Sequence, residues 1–191
     1  MECKDPAAHT IYRTNKFCSE KYVDAVTYLH QHNVVHRNIK GDNILLTNEG
    51  EVKLADYGFA KHLKNSSDLL SYRIGSPSWM APEVAACEIK SNKGYSIQAD
   101  VWSVGITAIE LAEGRAPYQD MHPSRILFQT MRNPPPGLHR ASNWSVDFVD
   151  FIAELCKEHP SSLKCPALSH VAGITFLTVK NNQSRLILLN L

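Results

Sequence analysis

Residues 100–112 read Asp-Val-Trp-Ser-Val-Gly-Ile-Thr-Ala-Ile-Glu-Leu-Ala. Wound as a helix, the apolar side chains Val101, Trp102, Val104, Ile106, Ala108, Ile109, Leu111 and Ala112 point nearly all round. A helix with no broad polar face has to be buried, so the rest of the chain must wrap around it. Ser103, Thr107 and Glu110 interrupt the run, which falls short of the roughly 20 apolar residues of a membrane span. Asp100 suits the N-terminal end, where a carboxylate accepts backbone N–H bonds. Gly114 and Pro117 close the segment.

What wraps this helix can be read on either side of it. Tyr22, Val23, Val26, Tyr28 and Leu29 recur at helical spacing, ending near Gln31-His32-Asn33, and Val34-Val35 follows as a short extended piece. Ile44-Leu45-Leu46 and Val52-Lys53-Leu54 flank Thr47-Asn48-Glu49-Gly50, the signature of a small β-hairpin. The stretch from Asp56 to Glu83 has little periodicity, and long connections of that kind are usually functional or disordered. Its Ser66, Ser67, Ser71, Tyr72 and Ser76 make a phosphorylatable loop a reasonable expectation. Pro123 to Met131 reads as a short helix, Asn133-Pro134-Pro135-Pro136-Gly137 as a rigid extended linker, and Trp144 to Cys156 as an amphipathic helix. The pattern degrades beyond His159, and a frayed tail is expected at 181–191.

The chain has 191 residues, with 20 Lys and Arg against 19 Asp and Glu. That length suffices for one domain with a sizeable core, and the charge balance suggests neither nucleic acid nor an anionic membrane as partner. Cys3, Cys18, Cys87, Cys156 and Cys165 are odd in number and lack paired spacing. Free thiols in a reducing compartment are therefore expected, not a disulfide frame or zinc site. Met1 to Pro6 has no apolar run of a secretory signal. A globular, cytoplasmic chain is the expectation.

Three further motifs stand in a fixed order before the central helix. They are His36-Arg37-Asn38-Ile39-Lys40-Gly41-Asp42-Asn43, Asp56-Tyr57-Gly58 and Ala81-Pro82-Glu83. Each alone is weak: Asp-Tyr-Gly is usually a turn, and Asn43 could simply open a strand. Together with Asp100-Val-Trp-Ser-Val-Gly they follow the order of protein kinases. The chain resembles the large, mostly helical lobe of a serine/threonine protein kinase. Gly75-Ser76-Pro77-Ser78-Trp79-Met80-Ala81-Pro82-Glu83 is in the style of the sterile-twenty group. Asp120-Met121-His122-Pro123, Arg132-Asn133-Pro134-Pro135-Pro136 and Asn143-Trp144-Ser145 resemble the kinase domain that heads the class III myosins.

The resemblance implies an α+β, protein-kinase-like fold: a mostly helical C-terminal lobe at 21–180 with one small hairpin, preceded by a divergent segment at 1–20. It implies transfer of the ATP γ-phosphate to a Ser or Thr hydroxyl of a protein, with ATP and Mg²⁺ as cofactors. Asp56 and Asn43 would hold Mg²⁺, Leu45 would lie under the adenine ring, and Lys40 would touch the transferred phosphate, a mark of Ser/Thr specificity. His36 and Tyr57 would pack on each other, Asp100 would reach back to the catalytic-loop backbone, and Ser76 would help hold substrate and loop. Arg37 would receive an activating phosphate. A protein substrate or docking partner is implied, in a cytoskeletal or myosin context within a longer parent.

Three departures from the family pattern are visible. Asn38 stands where the family has its catalytic Asp, and an amide accepts a hydrogen bond but cannot take a proton at neutral pH. No glycine-rich loop or phosphate-pairing Lys precedes residue 21, so the ATP-clamping N-terminal lobe is expected to be missing, with an apolar surface bared in its place. Counting back from Phe176 puts Cys165 where an Arg would pair Glu83, and Glu83 is expected to lose that bidentate partner. Three readings stay open: a weak or inactive fragment of a longer kinase, a pseudokinase lobe acting as a protein-binding module, or a truncated product without function.

Overall fold

The computed structural model describes residues 21–65, 67–87 and 94–157. Expectations for residues 1–20, Ser66, Cys165 and the tail lie outside the described residues.

Helix α1 covers residues 21–31. Strand β1 (Val34–Val35) follows it, then the hairpin of β2 (Ile44–Leu46) and β3 (Val52–Leu54), then β4 (Lys61–His62). The remaining helices are α2 (Pro82–Ala86), α3 (Gln98–Glu113), α4 (Pro123–Arg132) and α5 (Val146–Leu155). The hairpin is the expected one, with Ile44 opposite Leu54 and Leu46 opposite Val52. Its turn closes through Gly50 N donating to Thr47 O at 2.9 Å.

The connection after Asp56 is more ordered than its lack of periodicity suggests. β4 pairs antiparallel with β1, Val34 opposite His62 and Val35 opposite Lys61. Leu70 bridges Tyr95 through two backbone bonds of 2.7 and 2.9 Å. These pairings join residues far apart in sequence, and two-residue strands are too short to show an alternating pattern.

Helix α3 is the axis of the core. Every residue from Ala99 to Ile109 is buried, including Ser103 and Thr107. The two hydroxyls are satisfied locally: Thr107 Oγ1 donates to Ser103 O at 2.7 Å, and Ser103 Oγ lies 2.7 Å from Trp79 O. Tyr22, Val23 and Val26 of α1 pack in the same core as Phe148, Phe151, Ile152 and Leu155 of α5. Tyr22 stays buried because its hydroxyl donates to Val104 O at 3.3 Å. Burial pushes that hydroxyl's pKa upward, with Glu110 and Cys156 adding to the effect.

Cys87 and Cys156 are buried free thiols, and burial pushes Cys156 up to about 12. A thiol held so far from ionisation is a packing group, not a nucleophile. It sits at the end of α5, against Gly105 of α3. A Cβ on Gly105 would lie 2.6 Å from Cys156 Sγ and 3.0 Å from Leu155 Cβ. Gly105→Ala is therefore expected to lower the melting temperature. Overpacking costs about 1–3 kcal/mol, more than the roughly 0.5–1 kcal/mol that removing a helical glycine returns. A thermal melt with an unchanged or raised midpoint would show that the two helices part freely.

Candidate active site

The loop leaving β1 is held by one carboxylate from α3. Asp100 is fully buried. Its Oδ2 accepts from His36 N at 2.7 Å and its Oδ1 from Arg37 N at 2.8 Å. His30 Nε2 lies 3.0 Å from Oδ2. Of the two expectations for Asp100, the reach back to the loop backbone is the one its bonds follow; it does not cap its own helix, which begins two residues earlier, at Gln98. The pinned residue needs pinning: Arg37 has φ of 68°, a left-handed conformation costing a bulky residue about 1–3 kcal/mol.

From that anchor the loop turns Asn38 inward, and only 6% of it is exposed. Its Nδ2 donates to Asp56 Oδ2 at 2.7 Å, and its Oδ1 accepts from Ser76 Oγ at 3.0 Å. Asn43 Nδ2 donates to Asn38 O at 2.7 Å. The amide orientation follows from its partners, because an ionised carboxylate can only accept and so must face the nitrogen. His36 fixes the backbone beside it. Its Nε2 faces Ala55 O at 3.0 Å and its Nδ1 accepts from Asn38 N at 3.3 Å, which assigns the ring proton to Nε2. The ring stands edge-on to Tyr57 with centroids 5.0 Å apart.

Asn38, Asn43, Asp56 and Ser76 thus meet in one polar cluster, supplied by the loop after β1, the turn before β2, the turn after β3 and the segment before α2. Asp56 is exposed and left-handed, with φ of 61°. Gly75 lets Ser76 approach. It has φ of 125°, and a Cβ there would lie 2.5 Å from Arg37 O, so no other residue fits.

The other predicted residues lie around this cluster. Lys40 Nζ is 3.1 Å from Asp42 Oδ2 and 5.9 Å from the centre of the Trp79 ring. Leu45 is 47% exposed on the hairpin. Arg37 Nε donates to Phe59 O at 2.6 Å. Glu83 is half-buried in the first turn of α2 and is not without a partner. The expected loss of a bidentate Arg partner falls on Cys165, which lies outside the described residues.

One residue of the site escapes the sequence. There Glu110 is merely a charge interrupting an apolar helix. In the fold its Oε2 accepts from Gly41 N and from Trp79 Nε1, each at 2.9 Å. It joins the loop to the segment before α2. The signal that could have found it is a carboxylate inside a helix that must be buried, since such groups are almost never buried unless paired. Burial pushes its carboxyl above the ordinary 4.5, the Gly41 and Trp79 bonds pull it down, Asp42 pushes it up and Lys40 pulls it down.

A Mg²⁺ site of the kinase kind is testable on the donors present. Asn43 spends its nitrogen on Asn38 O, which leaves its amide oxygen for a ligand, and Asp56 spends Oδ2 on Asn38. Two hard oxygens fit Mg²⁺, which takes one or two protein ligands and completes its shell with water and phosphate. Among the described residues no group of three or more His, Cys, Asp or Glu forms a metal cage of its own. A cavity of about 440 Å³ past the end of α3, walled by Pro117, Tyr118, Met121 and Pro136, includes none of the predicted residues.

The protein kinase domain model matches residues 8–165. Myosin-IIIa of Mus musculus is 45% identical over 152 residues, covering 79% of this chain and 9% of the relative. Neither inactivation nor afterpotential protein C of Drosophila melanogaster is 44% identical, covering 81% and 10%. Misshapen-like kinase 1 of Rattus norvegicus is 50% identical, covering 66% and 9%. The chain belongs to the protein kinase domain family, within its sterile-twenty group, and class III myosins are among the relatives most like it. It spans about a tenth of the length of these curated relatives. No described helix is long and apolar enough to cross a membrane.

Two outcomes test the anchors. Asp100→Ala leaves the His36 and Arg37 N–H groups without their acceptor, at about 1–3 kcal/mol for each buried donor. Denaturant unfolding should show a loss of that combined size, and Asp100→Asn, which keeps one oxygen, a smaller one. For Glu110 the sign follows from the raised carboxyl. Its contribution is full below the ordinary value of 4.5 and is lost as pH rises through the higher folded-state value. The stability of the native chain relative to Glu110→Gln should therefore fall as pH rises across that window. A difference independent of pH would show that the fold does not favour the proton on Glu110.

Proposed function

We propose that this chain is the substrate- and metal-facing part of a serine/threonine kinase-type domain that transfers the ATP γ-phosphate to a protein hydroxyl slowly. The observation that carries this is the chemistry of Asn38. The residue at the heart of the cluster is an amide already bonded to Asp56 and Ser76. Its oxygen can orient a hydroxyl but cannot remove the proton. Positioned general bases contribute about 10²–10⁴-fold, and this is the factor the site lacks.

The remaining parts are suited to phosphate work. Asp56 and Asn43 would hold Mg²⁺, which supplies neutralisation of phosphate charge when bound with ATP. Lys40 would leave Asp42 to meet a phosphate. Asp42 is exposed and Lys40 partly so, and a pair at the surface is worth about 0–1 kcal/mol, so its release is cheap. Ser76 would yield its bond on Asn38 to the incoming hydroxyl and hold the acceptor from the other side. A cytoplasmic, cytoskeleton-linked setting rests on the names of the myosin relatives.

A second use, as a protein-docking module, is favoured by one observation. Leu45, Leu46, Tyr57 and Phe59 are 42–48% exposed on the hairpin and the turn that follows it. Phosphotransfer separates the two. With γ-labelled ATP and a generic protein substrate, Asn38→Asp in the complete protein that carries this chain should raise the rate by about 10²–10⁴-fold. Equal and negligible rates for both versions would sink the enzymatic proposal in favour of docking.

A further inference from the structure

We propose that Asn38 is a positioning residue for Asp56, whose amide N–H holds that carboxylate against the loop with no cation bound. The inference rests on the assignment of Asp56 as the metal-facing carboxylate.

Several observations lock the amide in this role. The Asn38 Nδ2 to Asp56 Oδ2 distance is 2.7 Å, short for an N–H···O bond and within the range of charge-assisted ones. The amide cannot swing away, because its Oδ1 is held by Ser76 Oγ, its own O by Asn43 Nδ2, and its N by His36 Nδ1. Only 6% of Asn38 is exposed, so water competes poorly for the donor. Asp56 itself is exposed, in a left-handed conformation at the start of a short 3-10 turn (Tyr57–Phe59). An exposed carboxylate on a turn has no reason of its own to point at a buried loop; the Asn38 bond supplies one.

The isosteric alternative shows what the amide does. Aspartate at position 38 has the shape of asparagine but puts an anionic oxygen where Nδ2 now donates. Two ionised carboxylate oxygens at that separation repel, and neither can donate. Such a pair stays together when a cation or a shared proton joins it; otherwise the turn moves off the loop. With Asn38 the pair carries one negative charge instead of two and closes on itself. The cost is a weaker pull on a divalent cation at Asp56, since a negative charge beside it is replaced by a neutral amide.

The test uses the complete chain without nucleotide, so it is independent of phosphotransfer. Melting temperature is measured in EDTA and in millimolar Mg²⁺ for the native protein, Asn38→Asp, Asn38→Ala, and the double variant Asn38→Asp with Asp56→Asn. The native protein should melt alike in both conditions. Asn38→Asp should melt several degrees lower in EDTA and recover with Mg²⁺. Asn38→Ala should be lowered in both, because it loses the donor without gaining a ligand. The double variant exchanges amide and carboxylate, and Asn tolerates the left-handed backbone at position 56. It should recover stability in EDTA. Asn38→Asp that folds only with Mg²⁺, or only with Asp56→Asn, counts as support. Asn38→Asp melting like the native protein in EDTA overturns the proposal. So does a loss that neither Mg²⁺ nor the second substitution repairs.

Discussion

Asp100 is the point on which the site depends. A buried carboxylate is costly unless its oxygens are filled, and these are filled by two backbone N–H groups of a loop that is sixty residues earlier in the chain. The bond works in both directions. It satisfies a charge in the middle of the core, and it holds Arg37 in a conformation the residue would otherwise avoid. The central helix and the loop therefore form one unit. Glu110 repeats the device nearly three turns further along α3, accepting from Gly41 and Trp79, so the helix grips both ends of the loop.

Because the loop is held from behind by α3, its front face is free to organise polar groups toward solvent. Asn38, Asn43, Asp56 and Ser76 satisfy one another there without help from a ligand. A self-satisfied cluster is stable at rest, and anything that binds must offer more than it displaces. An amide in the middle of this cluster favours persistence over proton removal.

Much of this was legible in the chain. Helical spacing found α1, α3, α4 and α5 to within a few residues, and Asn-Glu-Gly between two apolar triplets found the hairpin. The order of motifs pointed to the kinase family before any coordinates, which the family match then established. The pairing of β1 with β4 was not legible, because two-residue strands carry no pattern. Neither was Glu110, whose partners lie in segments with no periodic relation to it. Asp100 was legible only through the order of motifs, since by local pattern a helix-end carboxylate looks the same whether it caps its own helix or holds another segment.

The sequence by itself determined the class of fold and the identity of the residue at position 38, and so the chemistry that position can perform. Side-chain type and local periodicity are properties of the chain alone. Only the tertiary structure decided what Asn38 does with its two polar atoms. Its donor and acceptor could have met water, backbone or side chains. Burial of Asn38 left each atom one partner, Ser76 for the oxygen and Asp56 for the nitrogen, because a side chain closed to water must satisfy directional hydrogen bonds within the fold.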